Sequence, residues 1–144
     1  MSILEKIFKN KKGPSEKPGE KPLDHYRTYV YHHIRTVLED GKLYDTSASK
    51  KAFVDYTSLQ EVTFNISKRR VYFLSPHGRW FSANENTETK DETIKDVGEF
   101  RMQIVKTTIT YSDLRIEQED GVRAVMGKNG YELYREYFGE VEEA

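Results

Sequence analysis

Residues 23–38, LDHYRTYVYHHIRTVL, decide how the rest of the chain is read. Leu23, Tyr26, Val30, Ile34, Val37 and Leu38 recur mostly at steps of three or four, which lays one apolar stripe along an α-helix. Asp24 puts negative charge in its first turn, and Gly41 after Glu39-Asp40 suits a left-handed stop. The spacing predicts a helix here. A second, weaker helix is predicted over 47–59, capped by Ser47, with Ala52, Phe53, Tyr56 and Leu59 facing inward.

Further on, the period changes to two. Val62, Phe64 and Ile66 alternate with polar residues as in a half-buried strand, and Val71 to Leu74 is apolar on both faces, as in a central one. The loop Pro76-His77-Gly78-Arg79 leads to Trp80-Phe81. The polar stretch TETKDETIKD (87–96) reads as a surface loop running into a short helix near 91–97. Val105, Thr107, Ile109 and Tyr111 form one face of a further strand. Leu114 and Ile116 precede Asp120-Gly121, and Val122, Ala124 and Met126 precede Asn129-Gly130. Both dipeptides favour the turns of antiparallel hairpins. Tyr131, Tyr134, Phe138 and Val141 fit a terminal helix.

The expected fold is therefore an α+β domain. It has an antiparallel sheet of five to six strands, with an N-terminal helix, one or two short helices and a C-terminal helix packed against it. This order of elements resembles that of type III secretion chaperones, small acidic binding proteins, without a shared motif.

Composition supports one compact body with polar ends. Only 36% of the 144 residues are hydrophobic and 33% are charged, but ten tyrosines and seven phenylalanines supply large apolar surfaces. The first 22 residues hold six lysines against three glutamates, +3, which leaves −4 for the remainder of a chain whose net charge is −1. Gly13, Pro14, Pro18, Gly19 and Pro22 break any helix, and no apolar residue lies between Gly13 and Pro22. The expected organisation is a basic amphipathic segment (1–12), a flexible linker (13–22) and one domain (23–141). Ile3, Leu4, Ile7 and Phe8 would share one side of a short helix ringed by lysines, suited to weak contact with an anionic membrane surface. No stretch approaches 18 apolar residues and no secretory signal is present, so the expected location is cytoplasmic, with the N-terminal segment able to touch the inner membrane face.

Little in the sequence carries chemistry. With no cysteine there is no disulfide, thiolate zinc site or thiol nucleophile. On a helix, His25 and His32 would stand about 10 Å apart, too far to share a metal ion, so no metal is expected. GVRAVMGKN (121–129) has five residues between its glycines and Asn129 after Lys128, which fails the phosphate-loop pattern. No catalytic residue and no cofactor are assigned. Lys68, Arg69 and Arg70, with Arg79 on a neighbouring loop, form a candidate anion-binding patch. An acidic domain nevertheless argues against nucleic acid.

Taken together, these features predict a small non-enzymatic module that binds another protein, in an immunity-protein or chaperone-like role. The contacts would come from Tyr26, Tyr29, Tyr31 and Trp80, because amphipathic aromatics dominate interface energetics. A homodimer is one form this binding could take. The competing reading is a ligand-binding or enzymatic domain with a pocket in a curved sheet, lined by Tyr72, Trp80 and Tyr111.

Overall fold

A computed structural model describes residues 23–98 and 100–144. In chain order the elements are β1 (Leu23–His32), β2 (Arg35–Val37), β3 (Leu43–Asp45), β4 (Lys50–Thr63), β5 (Ile66–Leu74), β6 (Trp80–Val97), β7 (Phe100–Ile116), α1 (Glu119–Asn129) and α2 (Tyr131–Phe138). Five strands form one mixed sheet in the order β1-β7-β6-β5-β4, while β2 and β3 pair as a separate antiparallel hairpin. The chain divides into two compact units. One contains the described residues up to Tyr31 together with Glu88–Ile109, and the other contains His32–Thr87 and Thr110–Ala144. The segments 1–12 and 13–22, with Ile3, Leu4, Ile7 and Phe8, lie outside the described residues.

The expected N-terminal helix is replaced by strands. Eight of the twelve residues from Tyr26 to Val37 are β-branched or aromatic, which costs a helix side-chain freedom and suits a pleated surface. In β1 the burial alternates, with Tyr26, Thr28 and Val30 inward and Arg27, Tyr29 and Tyr31 exposed. The three-and-four spacing was compatible with a helix, but the period-two pattern of the same residues prevails. Gly41 does not stop a helix; at φ +75° it turns the β2–β3 hairpin, where Gly41 N donates to Leu38 O at 2.9 Å.

Three other helical or strand expectations are corrected for similar reasons. The helix expected over 47–59 is a turn followed by β4, whose Val54, Tyr56, Thr57, Val62 and Thr63 again favour strand. The short helix near 91–97 is part of β6, where threonine-rich alternation pairs with β7. Val62, Phe64 and Ile66 do not share a strand, because the chain reverses at Phe64-Asn65 and Thr63 faces Ile66 across the β4–β5 ladder.

The strand expected over 122–126 is instead the middle of α1. Val122 and Met126 stand four apart, a spacing that satisfies a helix face as well as a strand face, and both are fully buried. Glu119 and Asp120 occupy its first turn and Lys128 its last, matching the helix dipole. Asp120-Gly121 thus lies inside a helix, and Asn129-Gly130 separates two helices. The fold is mostly sheet, with helices among the described residues only at the C-terminal end. The element order that resembled type III secretion chaperones is replaced with it.

In the larger unit the two faces of the sheet are filled separately. Along β5, Tyr72 points to one face and Val71 and Phe73 to the other, as period two requires. On the first face Phe53, Tyr72 and Trp80 pack with Val122 and Met126, and Tyr134, Tyr137 and Phe138 of α2 close over them. Phe53 stacks on Tyr72 at 4.6 Å, and Trp80 meets Tyr137 edge-on at 5.6 Å. On the second face Phe73 stacks on Phe81 at 5.0 Å, and Tyr44 of β3 meets Phe81 edge-on at 5.1 Å. The smaller unit has its own cluster of Tyr26, Met102 and Ile104.

Candidate functional site

Two buried ionisable groups of the larger unit, Glu85 and Arg70, are each held by several partners, although Arg70 Nη2 is buried without a hydrogen-bond partner. Glu85 of β6 is 2% exposed. Its Oε2 accepts from Lys51 Nζ at 2.8 Å and from the Tyr111 hydroxyl at 2.9 Å, while Oε1 accepts from Arg69 Nε at 2.8 Å. Burial alone would raise the Glu85 carboxyl pKa, but the bonds from Lys51, Arg69 and Tyr111 together bring it below the ordinary value. With Arg69 Nη2 also 2.7 Å from Oε1, the acceptor sites of this carboxylate are taken by four donor atoms, as in a structural acceptor.

On the helix-covered face Arg70, 9% exposed, donates from Nε to Ser82 Oγ at 2.9 Å. Its Nη1 donates to Asn84 Oδ1 at 3.1 Å and to Asp113 Oδ2 at 3.3 Å. Ser82 Oγ in turn donates to Glu117 at 2.7 Å. Tyr111 and Asp113 are two apart and would share a face in a regular strand, yet Tyr111 reaches Glu85 and Asp113 reaches Arg70. Asp113 itself causes the switch, because at φ +52° it sits in the left-handed region and breaks the alternation.

The candidate anion-binding residues are thereby distributed. Arg69 binds Glu85 on one face, Arg70 lies on the other, Lys68 pairs in register with Gln60, and Arg79 stands at the opposite end of β5 in the Ser75–Arg79 turn. They do not converge on one point. The aromatic contact residues divide as well. Tyr29 and Tyr31 are exposed on β1, whereas Tyr26 and Trp80 are buried in the cores of different units. Tyr72 and Trp80 belong to the helix-covered core and Tyr111 to the opposite face, so the three line no common cavity. His25 and His32 now stand on a strand seven residues apart, an odd separation that directs them to opposite faces. Among the described residues no group of three or more His, Cys, Asp or Glu side chains could hold a metal ion.

The surface that does stand out is the free end of the β4–β5 hairpin. β4 is an edge strand. Near its middle the ladder with β5 is interrupted between Asp55 and Gln60, and Asn129 at the end of α1 clamps the edge there. Tyr56 N donates to Asn129 Oδ1 at 2.9 Å, and Asn129 Nδ2 donates to Asp55 Oδ1 at 3.1 Å. Beyond that clamp every residue from Leu59 to Ile66 is exposed. Leu59, Val62, Phe64 and Ile66 lie in this run, with Phe64 wholly in solvent and Glu61 as the sole charge. Sequence reasoning passed over them because Val62, Phe64 and Ile66 alternate like a half-buried strand. The usable signal was Asn65, a turn-forming residue in the centre of that alternation.

No family model matches the chain, and neither the curated proteins nor the solved structures contain a significant match to it. No helix among the described residues is long and apolar enough to cross a membrane.

Proposed function

We propose that this protein is a binding module without catalytic chemistry of its own, and that it recognises another protein through the β4–β5 hairpin. One observation carries the reading: eight consecutive exposed residues, 59–66, include Leu59 and Val62 on the edge strand β4, Phe64 in the turn and Ile66 at the start of β5. Monomeric proteins avoid leaving such an edge bare, because its unpaired N–H and C=O groups invite pairing. Each of the four side chains would contribute on the order of 1.5–3 kcal/mol when covered, before ordering costs are subtracted. An extended segment added beside β4 would use backbone bonds for affinity and these side chains for specificity. Tyr29 and Tyr31 are a separate exposed aromatic pair.

The test is capture from native cell extract by the wild type and by the double variant V62E/F64E. Proteins retained by the wild type and lost by the variant are the expected result, followed by binding of the purified partner with the same dependence. Identical retention by both forms overturns the proposal. Sedimentation of the purified protein is run beside it. A dimer that the double variant dissolves would make the partner a second copy of this chain.

A further inference from the structure

A cleft of about 620 Å³ lies between the β2–β3 hairpin and the Ser75–Arg79 turn, within the larger unit. Both walls are fixed by bonds of their own. Tyr44, 1% exposed, anchors the hairpin on Phe81, and its hydroxyl donates to Asp40 Oδ2 at 2.6 Å. Thr46 Oγ1, also buried, accepts from Ile34 N at 3.0 Å. The opposite wall is closed by Ser75 N donating to Arg79 O at 2.8 Å and Arg79 N donating to Ser75 Oγ at 3.0 Å. Gly78 makes that turn at φ +80°, a conformation few other residues adopt. Each wall of the cavity is therefore held by hydrogen bonds of its own.

Its lining has a distinct chemical character. Arg35, Lys42 and Arg79 supply three cations, with the His77 ring beside them, against one carboxylate, Asp45. That carboxylate is already engaged. Oδ1 accepts from Ser47 N at 2.8 Å and Ser47 Oγ at 2.6 Å, and Oδ2 lies 3.6 Å from Arg35 Nε. Asp40, just behind the lining, accepts from Lys42 N at 3.0 Å as well as from Tyr44. Among the described residues Lys42 and Arg79 form no ion pair within 4.0 Å, although the charges of both help hold the Asp40 carboxyl below its usual range, after its bond from Tyr44. Leu43 and Pro76 add apolar surface to the same lining. The volume matches that of small-molecule sites, which run from about 300 to 1,000 Å³.

We infer that this cleft binds a small organic anion, with a phosphate or carboxylate head held by Lys42 and Arg79 and an apolar body lying on Leu43 and Pro76. The guanidinium of Arg79 offers two parallel donors to an oxyanion, and Lys42 supplies a compact second charge. The site lies at the opposite end of β5 from the hairpin tip, so the inference is independent of the protein-binding proposal.

Amide NMR titration of the full chain with phenyl phosphate tests it, with inorganic phosphate and benzyl alcohol as comparison probes. Phenyl phosphate should shift amides in 42–48 and 75–79 and saturate with a Kd at or below about 1 mM. The double variant K42Q/R79Q, altered only at exposed positions, should keep the wild-type melting temperature and weaken binding at least tenfold. L43S should weaken phenyl phosphate and leave inorganic phosphate unaffected. The inference fails if those amides do not respond, if K42Q/R79Q binds as the wild type does, or if either comparison probe binds equally well.

Discussion

Glu85 shows how one residue links charge, burial and stability. Its folded pKa lies below the unfolded value, so the folded state binds that proton less readily. The resulting stability is present above the ordinary carboxylate range and is lost as pH falls through the folded value. E85Q keeps the shape but leaves Lys51 and Arg69 without a counter-charge. Both are partly exposed, which reduces the penalty below that of a wholly buried pair, to about 2–3 kcal/mol at pH 7. Urea unfolding at pH 7 and at pH 3 checks this: the gap between wild type and E85Q should narrow in acid, and an unchanged gap would refute it. Tyr44 gives the opposite sign. Burial, helped by its bond to Asp40, pushes its hydroxyl up to about 12. Its stabilising effect is therefore complete below the ordinary phenol value and is lost as pH rises from there through about 12. Difference absorbance titration against Y44F should show one phenol ionising near pH 12, and D40N should bring that step down.

Elements are where the sequence pattern and the fold diverge, and substitutions can tell the alternatives apart. If 122–126 were a strand, Val122, Ala124 and Met126 would all face inward. In α1 only Val122 and Met126 do, and Ala124 is exposed. A124E should therefore change stability by no more than about 0.5 kcal/mol, whereas M126A should cost about 2–5 kcal/mol through the cavity it leaves. Denaturant midpoints for the two variants decide this, and comparable losses would favour the strand. The same logic applies to the β4–β5 hairpin. V62E/F64E acts on residues that touch solvent, so its melt should stay close to the wild type while partner binding is lost. A large fall in melting temperature would place those side chains in a core and remove the reason for proposing them as an interface.

For the whole molecule, the relevant expectation is that the first 22 residues add nothing to folding. The absence of apolar residues between Gly13 and Pro22 leaves nothing in that stretch to bury. A chain starting at Lys21 should melt within about 5 °C of the full one, since roughly 1 kcal/mol corresponds to that shift in a domain of this size. A larger drop would mean that the N-terminal residues pack on the rest. Each of the two compact units has an apolar cluster of its own among the described residues.

Local chemistry was legible in the sequence wherever one interpretation had no rival. The lack of cysteine, the turn at Pro76-His77-Gly78-Arg79, the two-sided burial of Val71 to Phe73 and a terminal helix around Tyr134 and Phe138 all follow from residue type and short spacing. What the sequence left open were segments whose apolar residues satisfy both periods. Tyr26 to Val37 fits a helical stripe as well as a strand, and Val122 with Met126 fits both as well. Only tertiary structure chooses, because a strand is stable when neighbours complete its ladder and a helix when a facing surface buries its stripe. The sites are more remote still. Glu85 meets Lys51, Arg69 and Tyr111 from three other strands, and the Arg35–Lys42–Arg79 cleft joins segments up to 44 residues apart. Such convergence depends on strand order, and the reach of Asp113 to Arg70 depends on its left-handed backbone; neither is written in any local pattern.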